Sequence, residues 1–278
     1  MSNAMIIRQF HADDIGPFLK MAAAENWMAD AWEFEFLLSR FPRGCFAAVA
    51  DNGDAAGFVT SLHHEASGWI GNLIVAPGYR GQGVGERLFV TALEALQAVG
   101  GETFWLTASR SGQALYEKHG FTRVDTIIRW NGVGRQRHAA HDQCGDGNAP
   151  GLLVNSIDCQ TWGDRRDVLL TATAARGKLL LEELGFAVVQ PCGDAFQIGP
   201  FSALDDRTAE SLLNAALHSV PMGSEVYLDA PAANRTALRL FKRKGMRISG
   251  SNELMSSGMR PAYRPEYLHG LATMGSCG

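Results

Sequence analysis

Trp69-Ile-Gly-Asn-Leu-Ile-Val-Ala-Pro-Gly-Tyr-Arg-Gly-Gln-Gly-Val-Gly85 is the stretch from which the rest of the chain can be read. Trp69 to Val75 is a short, mostly apolar run closed by Pro77, the pattern of a buried strand. Gly81, Gly83 and Gly85 then lead into Leu88, Phe89, Ala92, Leu93 and Leu96, which recur at helical spacing. A strand, a Gly-rich turn and a helix in that order form a cradle for an anion. The first N–H groups of a helix have no intrahelical partner, the dipole adds partial positive charge there, and glycine lets phosphate oxygens approach without a Cβ in the way. The spacing Arg80-x-x-Gly83-x-Gly85 is neither of the two common nucleotide loops. A Walker A loop ends in Gly-Lys-Ser/Thr, and the dinucleotide fingerprint is Gly-x-Gly-x-x-Gly with an acidic residue about twenty positions on.

A second segment lies downstream, Ser109-Arg-Ser-Gly-Gln-Ala-Leu-Tyr116-Glu-Lys-His-Gly120-Phe121. The two segments together resemble motifs A and B of the GNAT superfamily of acyl-CoA-dependent N-acyltransferases. Motif A is Gln/Arg-x-x-Gly-x-Gly/Ala after a strand ending in Val-x-Pro, and Val75-Ala76-Pro77 followed by Arg80 to Gly85 matches it. Motif B is Asn-x-x-Ala-x-x-Leu-Tyr-Glu-Lys-x-Gly-Phe, met here with Ser109 in the place of Asn and Gly112 in the place of Ala. The resemblance implies a mixed α/β (α+β) GNAT fold, a central, mostly antiparallel twisted sheet flanked by helices. It also implies an acyl-CoA site made of Leu73, Ile74 and Val75 along the pantetheine, Arg80, Gly81, Gln82, Gly83, Val84 and Gly85 at the pyrophosphate, and Ser109 and Tyr116 from motif B.

Composition narrows the class without naming it. The 278 residues, 46% of them hydrophobic, suffice for two ordinary cores. A net charge of −4 gives no general drive toward nucleic acid or an anionic membrane. No apolar run is long enough to span a bilayer and no charged leader precedes one, so a cytoplasmic protein is expected. Met1-Ser2-Asn3-Ala4 precedes another Met and resembles an expression scar. The five cysteines, Cys45, Cys144, Cys159, Cys192 and Cys277, show no Cys-x-x-Cys pair, and an odd number suits a reducing compartment. His138, His141 and Cys144 lack a fourth ligand at a standard spacing, so they read as a polar connection and no metal is expected.

The chain divides at the aperiodic Gly-, His- and Asp-rich stretch 136–149, giving an N-terminal domain at 5–135 and a C-terminal one at 150–278. In the first, helices are expected over Ile15 to Met28 and Trp32 to Leu38, with strands over Cys45 to Ala50 and Ala55 to Leu62 around the Asn52-Gly53 hairpin signal. Part of this order recurs. Gly57-Phe58 is echoed by Gly185-Phe186, Ile70-Gly71 by Ile198-Gly199, and motif B by Asn234-Arg-Thr-Ala237-Leu-Arg-Leu-Phe241-Lys-Arg-Lys-Gly245-Met246, which points to an internal duplication. In the second copy Phe201-Ser-Ala-Leu-Asp-Asp-Arg-Thr replaces the Gly-rich turn. That puts Asp205 and Asp206 at a helix start, where carboxylates cap well and would repel a pyrophosphate. The whole chain thus resembles tandem bacterial GNAT proteins with a degenerate second domain. In those relatives a segment like Asp158-x-x-x-Trp162-Gly163-Asp164-Arg165 recurs near the start of that domain.

The chemistry that the resemblance implies is N-acetyl transfer from acetyl-CoA to a primary amine of a small molecule or peptide, by direct attack in a ternary complex. A thioester is already activated, so the site must hold the neutral amine, stabilise the oxyanion and protonate the leaving thiolate. Tyr116 stands at the position that in many relatives gives that proton. For a general base the candidates are Glu25, Glu33, Glu35, His63 and His64, while Phe104 stands where some relatives carry a glutamate. The other reading is an acyl-CoA-binding sensor without turnover. Tyr116 in the first copy against Phe241 in the second favours catalysis in the first. The acceptor, the acyl length and the oligomeric state, including a homodimer, stay open at this level.

Overall fold

The computed structural model describes residues 5–136, 149–259 and 262–278. The His138/His141/Cys144 cluster, Met1 to Ala4, and all of the stretch 136–149 except its two end residues lie outside the described residues. By contacts the chain forms two compact units. The first runs to Leu106 and includes Ser256–Met259 and Gly275–Gly278; the second takes the described residues from Thr107 to Met255 and 262–274.

The first unit contains β1 (Met5–Gln9), α1 (Ile15–Ala24), α2 (Ala31–Arg40), β2 (Phe46–Ala50), β3 (Ala55–His63), β4 (Ser67–Val75), α3 (Val84–Gln97) and β5 (Thr103–Ala108) as far as Leu106. Its strands lie in the order β1-β2-β3-β4-β5, antiparallel except for the parallel pair β4–β5. The β2–β3 turn forms at Asn52-Gly53 as expected. Gly53 takes φ +86°, and the Asn52 Oδ1 accepts the Asp54 N–H at 3.0 Å. Neighbouring residues of a strand face opposite sides, and β3 shows what each side needs. Phe58 meets Phe10 and Phe18, with ring centroids 5.5 and 5.8 Å away, and Phe18 meets Phe34 of α2 at 4.4 Å. A Cβ on Gly57, facing the other way, would come within 3.0 Å of Leu88 on α3. Helices therefore cover both faces, the bulky face by α1 and α2 and the shaved face by α3.

The second unit holds α4 (Gln113–Lys118), β6 (Thr122–Val133), α5 (Ala149–Trp162), α6 (Asp167–Arg176), β7 (Lys178–Glu182), β8 (Gly185–Cys192), β9 (Ala195–Ala203), α7 (Asp206–Ser219), β10 (Glu225–Pro231), α8 (Arg235–Arg243), β11 (Arg247–Gly258) as far as Met255, and β12 (Leu268–Gly270). Its strands run β6-β10-β9-β8-β7, with β12 paired to β9. From α5 to α8 the elements repeat the order α1 to α4. The echoes seen in the sequence fall on matching elements, Gly57-Phe58 on β3 and Gly185-Phe186 on β8, Ile70-Gly71 on β4 and Ile198-Gly199 on β9. Asp158 and Arg166 form a buried bidentate pair at 2.7 and 2.9 Å, and the guanidinium lies 4.5 Å over the Trp162 ring. The motif Asp158…Trp162 is thus the scaffold between α5 and α6. Its arginine is Arg166, while Arg165 pairs with Asp167.

Candidate acyl-CoA site

Motif A occupies one continuous path in the first unit. β4 pairs with β5 over Ser67–Trp69 alone among the described residues, so the edge from Ile70 to Val75 lies beyond that ladder. On its other side β4 pairs with β3 through a bulge. Between the partners Phe58↔Ile74 and Thr60↔Gly71, β3 advances two residues and β4 three, so one residue of β4 is extra. There Asn72 adopts φ +54°, a left-handed conformation rare outside glycine. Leu73, Ile74 and Val75, the expected pantetheine strand, follow directly.

After Val75 a short 3-10 turn, Pro77–Tyr79, leads into the loop. Gly81 and Gly83 take φ +72° and +77°, and Gly83 is the N-cap of α3. A Cβ on either would meet nothing within 4 Å, so the loop faces open space. The first-turn N–H groups of α3, a 14-residue helix, thus stand behind an unobstructed glycine front. The loop braces itself with its longer side chains. Gln82 donates to the Gly78 carbonyl at 2.9 Å, and Arg80 donates through Nε to the Val75 carbonyl at 2.9 Å. The Arg80 guanidinium also pairs with Glu25 at 2.5 Å. Glu25, a candidate base in the sequence, thus pairs with Arg80 at the surface. Gly85 and Val84 are the first residues of the helix proper; Val84 is buried, and a Cβ on Gly85 would make an ordinary 3.4 Å contact with Val75.

Ser109 and Tyr116 belong to the second unit. The Ser109 hydroxyl meets that of Ser111 at 3.1 Å and accepts the Gly112 N–H at 3.3 Å, so it caps the turn into α4. Tyr116 is buried, its ring 6.4 Å from that of Phe121, and a Cβ at Gly112 would come within 3.2 Å of it. Gly112 in place of Ala is the fit between that helix start and the ring. Burial pushes the phenol up to about 12.

Of the two glutamates of α2 named from the sequence, Glu35 is exposed and Glu33 buried. Glu33 accepts from the Asn72 amide at 2.6 Å. His63 lies 6.1 Å from the Phe41 ring. The sequence reading passed over Asn72; the one available signal was an Asn inside a strand pattern, a residue type enriched in left-handed conformations.

Comparison with known proteins identifies the family of both halves. Residues 12–121 match the acetyltransferase (GNAT) family and residues 154–270 an acetyltransferase (GNAT) domain. A holothin acyltransferase from Pseudoalteromonas sp. (strain SANK 73390) is 22% identical over 261 residues, covering 91% of this chain and 88% of that protein. A crystal structure from Pyrococcus horikoshii, assigned as an acetyltransferase, superposes with a TM-score of 0.85 at 25% identity, covering 100% of this chain and 99% of that one. A GCN5-related N-acetyltransferase from Sphaerobacter thermophilus gives a TM-score of 0.66 at 19% identity over 96% and 98%. Family matches in both halves, an acyltransferase relative along nearly the whole chain and the same fold end to end place this protein in the GNAT superfamily of acyltransferases, with two GNAT domains in tandem.

Proposed function

We propose that this acyltransferase moves an acetyl group from acetyl-CoA to a primary amine on a small molecule or peptide, by direct attack in a ternary complex. Its N-terminal half, 5–135, would hold the acyl-CoA; its C-terminal half, 150–278, would be the degenerate copy. The open, left-handed Gly81 and Gly83 at the start of α3 carry this proposal, because they present helix amides to an anion. Leu73, Ile74 and Val75 would line the pantetheine, Arg80 to Gly85 the pyrophosphate, and Ser109 the motif B contact. Tyr116 would be the general acid for the CoA thiolate. A phenol held near 12 stays protonated at neutral pH, as a donor must be. No helix among the described residues is long and apolar enough to cross a membrane, which is compatible with a cytoplasmic enzyme.

Calorimetric titration with acetyl-CoA, on the wild type and on Gly83→Val, tests this. Binding in the wild type that is lost in a folded Gly83→Val supports the site, and an amine screen then follows. Binding with no turnover across a broad amine panel would favour the sensor, and no binding by folded wild type would remove the transferase reading.

A further inference from the structure

Position 33 breaks the pattern of its helix. α2 turns Phe34, Phe36 and Leu37 into the core, and Glu33 is buried with them, where the periodicity would place an apolar residue. A buried carboxylate needs partners to persist. Its Oε1 accepts from Asn72 Nδ2 at 2.6 Å, and the same amide nitrogen lies 3.1 Å from the buried Thr60 hydroxyl, whose own donor points to the Gly71 carbonyl at 3.4 Å. All of these belong to the first unit. Asn72 is the left-handed residue of the β4 bulge, a place where glycine would adopt φ +54° without a side chain to accommodate. What asparagine brings instead is an amide that spans Glu33 and Thr60.

We propose that Glu33 is a positioning residue of the acyl-CoA site: by clamping Asn72 it fixes the bulge, and with it the direction in which the peptide groups of Leu73, Ile74 and Val75 face the acyl chain. This rests on the assignment of those three residues to the acyl-CoA. The bulge is the last irregular point of the backbone before them, so its φ sets how their N–H and C=O groups are turned.

A double-mutant cycle read by acetyl-CoA affinity tests the proposal on the full chain. Glu33→Ala is expected to weaken binding about tenfold, and Glu33→Gln, whose amide oxygen still accepts from Asn72, by about threefold or less. In an Asn72→Gly background, where the bulge needs no clamp, Glu33→Ala should cost almost nothing more. Unchanged affinity in a folded Glu33→Ala overturns the proposal. So does an equal loss from Glu33→Ala in both backgrounds, which would make Glu33 part of the packing of α2 independently of Asn72. Wild type that binds no acetyl-CoA would remove the site assignment itself, a failure separable from either of these.

Discussion

Gly83 and Gly85 stand two residues apart in one motif, yet they answer to different constraints. Gly83 needs its left-handed φ of +77°, whereas Gly85 already sits in α3 with room for a methyl group. Gly83→Ala should therefore destabilise the chain by about 1 kcal/mol, while Gly85→Ala should be neutral or slightly stabilising, because alanine is the better helix former. Thermal melts of the two variants check this, and reversed signs would mean that the loop conformation is wrong. At Tyr116 burial fits both roles that the sequence left together, a proton donor and a packed ring. If the hydroxyl gives the proton, Tyr116→Phe lowers kcat by about tenfold or more and leaves acetyl-CoA affinity intact; equal turnover would leave the ring with packing alone. Folded Tyr116 ionises near 12 and an unfolded tyrosine near ~10. Between those values the unfolded chain holds fewer protons, so this group's contribution to stability is present below pH ~10 and is lost as pH rises toward about 12. The motif residues were legible because local backbone chemistry fixes them. Asn72 and Glu33 were not paired from sequence because they are joined only by packing α2 against β4, 39 positions apart.

β12 shows at the scale of an element what the second copy did with its equivalent of the β4 edge. β9 and β10 pair in parallel at Val226↔Phe196 and Tyr227↔Gln197, and beyond that point the chain from Leu268 to Ala272 takes over. Leu271 donates its N–H to the Asp229 carbonyl at 2.8 Å and accepts from Gln197 at 3.1 Å, while Gln190 donates to Ala272 at 3.0 Å. A Cβ on Gly199 would come within 1.8 Å of the Leu271 carbonyl oxygen, so Gly199→Ala cannot keep β12 in place. A loss of about 2–4 kcal/mol in denaturant unfolding is expected, a small residue here having no slack. His269 of β12 is buried against Phe201, its Nδ1 3.0 Å from the Tyr267 carbonyl, and desolvation holds its imidazole down to about 4. From pH ~6.5 down to about 4 the unfolded chain takes up the proton that the folded chain refuses. Stability from this group is therefore full above pH ~6.5 and falls by roughly 3 kcal/mol as pH drops to about 4. His269→Asn should flatten that acid limb, and an unchanged limb would place the titration elsewhere. None of this could be read from Leu268-His-Gly270, three residues without a periodicity of their own. β7 is hidden for the opposite reason, since Lys178-Leu-Leu-Leu-Glu182 is made of good helix formers and is held as a strand by its ladder with β8.

The duplication gives β4 and β9 matching bulges, and of these two strands β4 alone leads into a loop of open glycines. In β9 the bulge recurs between Ala187↔Phe201 and Val189↔Ile198, the counterpart of the one at Asn72. The strand then runs straight to Asp205, which caps α7 by accepting the Thr208 N–H at 2.7 Å, a bond that also keeps its carboxyl below the usual range and so charged at neutral pH. Where the first copy offers open glycines, the second offers a negative charge and a strand edge paired with β12 at Phe201 and Ser202; in the first copy the Ser276 carbonyl lies against Gly71, short of Leu73. These are independent obstacles, one electrostatic and one steric, and removing either leaves the other. Acetyl-CoA should accordingly bind with a stoichiometry of one per chain, in the wild type and equally in Asp205→Gly, since the substitution removes the charge without vacating the edge paired with Leu268 and Gly270. Titration calorimetry reads this number directly. Two sites in the wild type would mean that β12 leaves its strand in solution, whereas two sites only in Asp205→Gly would show that charge alone had closed the second copy.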